Sequence, residues 1–244
     1  MKTVLVTGAN SGIGKEISIQ LDQLGFQVLL IARNQDRLDK VSSLLKNSPI
    51  TMSCDLNNMN DLEKIDSFLE PYKNNFCGLI NNAGIFIQND FMSTTDKNWQ
   101  DLFNINLLAP AIITRKCIKV LKNNQSTHKF IMNISSTASA RPIPGTSAYG
   151  ALKGALDHLT KVLALEVAGS KICVNSISPG IIDTPIHNFK TLEPDQMKEV
   201  HKMQPLNRVG QPKDISSMVA FLADENNNWI TGSNFIVDGG ISLT

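Results

Sequence analysis

The sequence predicts a doubly wound α/β fold, a parallel sheet of about seven strands covered by helices on both faces. Three observations carry this expectation. Short runs of β-branched and aliphatic residues recur along the 244-residue chain. Segments of helical length and period separate them, and several runs are apolar without alternation, as in strands buried on both faces. Parallel neighbours need crossover connections, and right-handed crossovers place helices on both sides of the sheet.

The first strand is expected at Val4 to Val6, running directly into a glycine-rich turn. A helix follows over Ile13 to Leu24, where Ile13, Ile17, Leu21 and Leu24 share one face and Gly25 supplies a left-handed stop. Further strands are predicted at Val28 to Ala32, Ile50 to Cys54, Leu79 to Asn81, Phe130 to Ile134, Val174 to Ile177 and Phe235 to Val237. Long helices are expected over Asn98 to Leu121 and Tyr149 to Ala168. No linker, repeat or low-complexity run divides the chain, so one domain over 1–244 is expected. The longest stretch without strand character lies between Pro179 and Pro212. Its spaced apolar residues, Pro185, Ile186, Phe189, Leu192, Met197, Val200 and Met203, predict a substrate lid over about 184–205. Phe86, Pro142 and Ile143 are expected to line the same pocket.

Composition narrows the function classes. Lys and Arg number 23 against 22 Asp and Glu, a net charge of +1, so neither nucleic acid nor an anionic membrane is an expected partner. No apolar run reaches the roughly 18 residues that span a bilayer. The four cysteines, Cys54, Cys77, Cys117 and Cys173, have no metal or disulfide spacing, and His128, His158, His187 and His201 have none suited to a metal or a triad. No metal, no cleavable leader and a cytoplasmic location are the expectations.

The turn Thr7-Gly8-Ala9-Asn10-Ser11-Gly12-Ile13-Gly14 spaces its glycines G-x3-G-x-G. Gly8 permits a sharp exit from the strand, Gly12 lets backbone approach a pyrophosphate, and Gly14 lets the helix pack against the sheet with its N-terminus facing the anion. Tyr149 and Lys153 stand four apart in a predicted helix and project from one face, and Ser136 ends the strand before it.

The chain resembles the short-chain dehydrogenases/reductases along essentially its whole length. The resemblance rests on an ordered set: Thr7 to Gly14, Asp55, Asn81-Asn82-Ala83-Gly84, Asn106, Ser136, Tyr149 with Lys153, Pro179-Gly180 with Thr184, and Thr231-Gly232 to Asp238-Gly239-Gly240. It implies a Rossmann-type fold and an enzyme acting on CH–OH with NAD(P) as acceptor. Ser136, Tyr149, Lys153 and Asn106 would be catalytic, Asn106 as the helix asparagine that holds a water in the proton relay from Lys153. The cofactor would be held by Gly8, Asn10, Ser11, Gly12, Ile13, Gly14, Asp55 at the adenine edge, Leu56, Asn82, Ala83, Gly84, Tyr149, Lys153, Pro179, Gly180, Ile182 and Thr184. Ala32 stands where NAD-preferring relatives carry an acid, and Arg33 resembles the phosphate-clamping arginine of NADP-preferring ones. A guanidinium facing a 2′-phosphate makes charge-assisted bonds, so NADP(H) is the expected cofactor, ahead of NAD(H).

The residue types suit the chemistry. Hydride transfer to a ketone leaves an alkoxide that needs a proton, and an ordinary phenol has a pKa of about 10. A nearby ammonium and an oxidised nicotinamide are expected to lower that of Tyr149, while Ser136 donates to the carbonyl oxygen.

The closing stretch from Pro205-Leu206-Asn207-Arg208 to Asp238-Gly239-Gly240 is similar to the 3-oxoacyl-[acyl-carrier-protein] reductase branch. Where that branch carries carrier-docking arginines this chain has Thr127 and Ser170, with Lys129 and Lys171 close by. A broad carbonyl or alcohol reductase on carrier-free substrates is therefore the alternative, and a non-catalytic NADP-binding sensor a third. The resemblance also implies a homotetramer packed through its long helices, and the apolar face of the expected lid favours a small, partly apolar carbonyl or alcohol as substrate.

Overall fold

In the computed structural model, residues 1–187 and 189–244 are described, with the side chain of Lys190 also outside the description. Asn188, in the expected lid, thus lies outside the described residues.

The chain runs β1 (Thr3–Thr7), α1 (Gly12–Gln23), β2 (Gln27–Ala32), α2 (Gln35–Ser42), β3 (Ile50–Ser53), α3 (Met59–Glu63), α4 (Ile65–Leu69), β4 (Phe76–Asn81), α5 (Asp96–Phe103), α6 (Ala109–Asn123), β5 (Lys129–Ile134), α7 (Ser147–Val167), β6 (Ile172–Pro179), α8 (Pro194–Lys202), α9 (Pro212–Ala223) and β7 (Asn234–Val237). The sheet is parallel throughout, in the order β3-β2-β1-β4-β5-β6-β7. All seven predicted strands are present, several a few residues longer than their apolar runs.

Alternation along the strands sorts the core into two layers. Val4, Val6, Val28 and Leu30 pack with Ile17 and Leu21 of α1 and Ile215 and Val219 of α9. Leu5, Leu29, Ile31 and Leu79 face the other way, onto Ile65 of α4 and Ile113 and Cys117 of α6. Each fully buried Leu or Ile contributes about 1.5–3 kcal/mol. Helix α1 ends as expected: Gly25 takes φ +87° and the Phe26 N–H returns to the Leu21 carbonyl at 3.1 Å.

The helix expected over Asn98 to Leu121 is divided. Between α5 and α6 the segment Asn104–Leu108 is a π-turn, in which the Ala109 N–H reaches the Asn104 carbonyl five residues back. Pro110 is the cause, since it has no N–H for the Asn106 carbonyl and its ring crowds that group. The widened turn sets Asn106, fully buried, beside the strand loop at Ile85.

Candidate active site

Strand β1 pairs with β2 on one side and β4 on the other, so the connections leaving β1 and β4 diverge and open a crevice at their C-terminal ends. A cavity of about 740 Å³ fills it. Gly8 and Gly12 are both left-handed, at φ +64° and +52°. A Cβ at Gly8 would lie 2.8 Å from Ala83 Cα, and one at Gly12 would meet Thr184 at 3.2 Å, so both are needed for conformation and for close approach. Helix α1 begins at Gly12 with no side-chain cap from Ser11 and no acid in its first turn, leaving its N-terminal dipole uncompensated beside the cavity. These residues fit the pyrophosphate of a dinucleotide.

Gly14 differs from its expected place. It does not line the cavity, and its missing Cβ would lie 2.3 Å from both the Gly8 carbonyl oxygen and Asn82 Nδ2. Its smallness closes the loop on Asn82 rather than on the sheet. Asn82 ties β4 to β1, Nδ2 donating to the Thr7 carbonyl at 2.9 Å, while the Asn82 and Ala83 N–H groups each donate to Thr7 Oγ1 at 3.0 Å.

Arg33 stands at the far end of the cavity with Cys54, Asp55 and Leu56. A second arginine joins it. Asn34 caps α2 by accepting the Arg37 N–H at 2.8 Å, and this turn brings Arg37 onto the same wall, one helical turn beyond Arg33. Arg37 is not among the residues expected at the cofactor, although Asn34 as an N-cap signals its place one turn into α2.

At the other end Ser136, Tyr149 and Lys153 converge. Ser136 follows β5 and opens a 3-10 turn, its Oγ accepting the Ala138 N–H at 3.2 Å. Ser136 and Tyr149 line the same cavity. The neighbouring Ser135 is buried and its hydroxyl turns to the Lys153 carbonyl at 3.4 Å. The Phe86 ring meets that of Tyr149 edge-on, centroids 5.0 Å apart.

Lys153 Nζ donates to the Ile134 carbonyl at 2.8 Å and lies 5.8 Å from the centre of the Tyr149 ring. Burial drives its pKa down to about 8, opposed by the Asp157 carboxylate one turn along α7. Asp157 Oδ2 accepts from Asn234 at 3.1 Å, whereas Oδ1 has no partner among the described residues. The Tyr149 phenol is pushed up by burial, the nearby Ser136 hydroxyl being the one lowering influence. Desolvation of the phenol outweighs the influence of the Ser136 hydroxyl, so these surroundings do not by themselves favour phenolate.

Asn106 does not line the cavity, and its side chain is occupied at both ends, Oδ1 accepting the Ile85 N–H at 3.0 Å and Nδ2 donating to the Ile85 carbonyl at 2.9 Å. It clamps the loop after β4 instead of presenting a free amide. Gly84 makes this approach possible, since a Cβ there would lie 2.9 Å from Asn106 Oδ1.

Asn10, Ser11, Ile13, Ala83, Pro179, Gly180, Ile182 and Thr184 all line the cavity. The tail motif does structural work: a Cβ on Gly180 would strike Asp238 at 2.8 Å, and Asp238 accepts the Gly240 and Ser242 N–H groups. Beyond Tyr149 the wall is formed by Phe86, Ile143, Pro185, Ile186, Phe189, Val200 and Met203, while Leu192, Met197 and Pro142 stay outside it. Arg141 and His187 were not foreseen there. His187 stacks on Phe189 at 5.2 Å, and burial lowers its pKa. Lys129 is buried, Nζ donating to the Leu121 and Asn124 carbonyls at 2.9 and 3.1 Å, and so is unavailable to a partner.

Comparison with known proteins agrees with this architecture. The family model described as Enoyl-(Acyl carrier protein) reductase matches residues 8–242. The 3-oxoacyl-[acyl-carrier-protein] reductase FabG of Buchnera aphidicola is 34% identical over 244 residues, covering 100% of this chain and 98% of that protein. L-xylulose reductase of Caenorhabditis elegans is 33% identical, covering 99% and 96%. A solved short chain dehydrogenase/reductase family protein superposes with a TM-score of 0.89 at 30% identity, covering 100% and 98%. ElxO with NADP bound gives a TM-score of 0.89 at 26% identity, covering 100% and 99%. The chain belongs to the short-chain dehydrogenase/reductase family, oxidoreductases that interconvert carbonyl and CH–OH groups.

Proposed function

We propose that this chain is an NADP(H)-dependent reductase of 3-oxo compounds, similar in action to 3-oxoacyl-thioester reductases. The observation that carries it is one cavity with Ser136, Tyr149 and Lys153 at one end and Arg33 with Arg37 at the other. The two guanidiniums suit a ribose 2′-phosphate, and the uncapped start of α1 suits the pyrophosphate between. Asn10, Ser11, Ile13, Asp55, Leu56, Ala83, Gly84, Pro179, Gly180, Ile182 and Thr184 complete the proposed cofactor cradle.

The nicotinamide, when bound, supplies the hydride. Ser136 Oγ–H donates to the substrate oxygen as negative charge grows there, and Tyr149 delivers the proton. Lys153, held by Ile134, provides the positive charge that favours proton loss from the phenol, and Asn106 is a positioning residue that fixes the loop over Lys153. The segment 184–205 acts as the substrate lid.

A second reading, a carbonyl reductase on carrier-free substrates, is favoured by one feature. Lys129 is buried, and Thr127 sits beside an acid, its hydroxyl donating to Glu225 Oε2 at 3.4 Å. An acidic carrier finds little purchase there. Exposed Leu165 on α7, with Trp229 and Ile236 at the β7 edge of the sheet, supports the homotetramer, and four buried free thiols suit the cytoplasm. Among the described residues no helix is long and apolar enough to cross a membrane.

The test is kcat/KM with NADPH and NADH for a matched 3-oxoacyl chain on acyl carrier protein, on coenzyme A and as a free ketone, at low and high salt. A carrier advantage of about tenfold or more that falls with salt supports the thioester reading, and equal rates the carrier-free one. NADPH binding without turnover of any carbonyl or alcohol would instead establish a sensor.

A further inference from the structure

We propose that His187 of the lid is a specificity-determining residue: its imidazole hydrogen-bonds an uncharged oxygen of the substrate, so that the preferred substrate is a carbonyl compound carrying a second carbonyl or a hydroxyl group. The inference rests on the reductase reading and names the substrate class for it.

Of the described lid residues that line the cavity, Pro185, Ile186, Phe189, Val200 and Met203 are apolar, and Thr184 stands against Gly12 in the proposed cofactor cradle. His187 is the remaining one, and it brings the hydrogen-bonding group that this apolar wall otherwise lacks. Pockets of this composition orient their ligands through a few polar groups.

The imidazole is held by rings rather than by hydrogen bonds. It stacks on Phe189, centroids 5.2 Å apart with 13° between the planes, and meets Phe86 at 6.2 Å, tilted by 54°. The His187 N–H donates to the Thr184 carbonyl at 3.1 Å, which fixes the backbone that carries the ring. Among the described residues neither ring nitrogen has a hydrogen-bond partner, although the side chain is half-buried. The contrast within the chain is His128, buried beside Phe130, whose Nε2 makes a 3.1 Å hydrogen bond with the Leu222 carbonyl oxygen. A polar group in apolar surroundings costs free energy until it is paired. Burial also holds the His187 pKa below the ordinary histidine value, so at neutral pH the ring is uncharged and offers one donor and one acceptor. An uncharged ring suits an uncharged oxygen.

Phe86 sets its place relative to the proton donor. That ring meets Tyr149 edge-on at 5.0 Å and also reaches His187, so phenol and imidazole are neighbours of one side chain in one cavity. A substrate whose carbonyl meets Ser136 and Tyr149 runs along Phe86 to His187, and a hydrogen bond at its second oxygen fixes the reacting carbon in place. An alkyl chain there leaves the imidazole unpaired, which is how a site built for an oxygen rejects the analogue without it. A 3-oxoacyl thioester offers its thioester carbonyl and a hydroxyketone its hydroxyl, and the same imidazole serves both.

The experiment compares kcat/KM with NADPH for wild type, His187→Phe, His187→Leu and His187→Gln on two matched sets. One set is a series of hydroxyketones of increasing carbonyl-to-hydroxyl spacing against the ketones lacking the hydroxyl. The other is 3-oxobutyryl-pantetheine against the thioether in which a methylene replaces the thioester carbonyl. In one set the ratio of oxygenated to deoxygenated substrate is expected to fall about tenfold in His187→Phe and His187→Leu, about 1.4 kcal/mol, and to recover in part in His187→Gln. The set that shows it identifies the oxygen. His187→Phe keeps a ring against Phe189 and His187→Leu does not, so equal falls in both assign the effect to the ring nitrogens. A fall in His187→Leu alone assigns it to packing and overturns the inference. Ratios equal to wild type in both variants on both sets also overturn it, while leaving the reductase reading intact. Bound NADPH with no turnover of any compound by wild type overturns the reductase reading, and the inference with it.

Discussion

The Lys153 ammonium donates to the Ile134 carbonyl at 2.8 Å, and so α7 is tied to the end of β5 at the point where Ser136 follows. The bond holds the charge at a fixed place near the Tyr149 ring without engaging the phenol. Phenol and ammonium therefore belong to two separate side chains on one helix face.

Tyr149→Phe removes the transferable proton and little else. Turnover should fall by about 10²- to 10⁴-fold, with unchanged circular dichroism and cofactor affinity within about threefold. Rates near wild type in a steady-state assay would remove Tyr149 from the proposed role.

Activity should decline as pH rises through about 8, where Lys153 loses its charge. Burial lowers this pKa and the Asp157 carboxylate raises it, so Asp157→Asn should move the declining limb to lower pH. The measurement is a pH profile of kcat/KM. A limb that stays in place while kcat alone drops would indicate a structural role for Asp157.

Arg33→Ala and Arg37→Ala should each reduce the preference for NADPH over NADH. Loss of one charge-assisted contact costs about 1.5–3 kcal/mol, or about ten- to a hundredfold in the ratio of kcat/KM values. If only Arg33→Ala changes the ratio, Arg37 belongs to the solvated surface of α2.

Gly14→Ala should lower stability in protein without cofactor, because the new Cβ would meet the Gly8 carbonyl oxygen and Asn82 Nδ2 at 2.3 Å, one of them backbone. Overpacking of this kind costs about 1–3 kcal/mol, a drop of about 2–4 °C per kcal/mol in a domain this size. A melting temperature equal to wild type would show that the loop relaxes freely.

What the sequence determined by itself is what local chemistry controls. Strand positions follow from apolar runs, the nucleotide turn from glycines that take φ near +60° without the steric cost a Cβ brings, and the shared face of Tyr149 and Lys153 from four-residue spacing on a helix. Pro110 was a local signal as well, and reading it would have divided the helix that carries Asn106. Tertiary structure decided the rest, because burial and opposition across the cavity depend on residues far apart in the chain. Only the packed fold shows Lys129 capping α6 from inside, Asn106 clamping Ile85, and Arg141 and His187 facing the substrate end. It also shows burial pushing the Tyr149 phenol up, since desolvation is set by everything that surrounds a phenol and not by its neighbours in sequence.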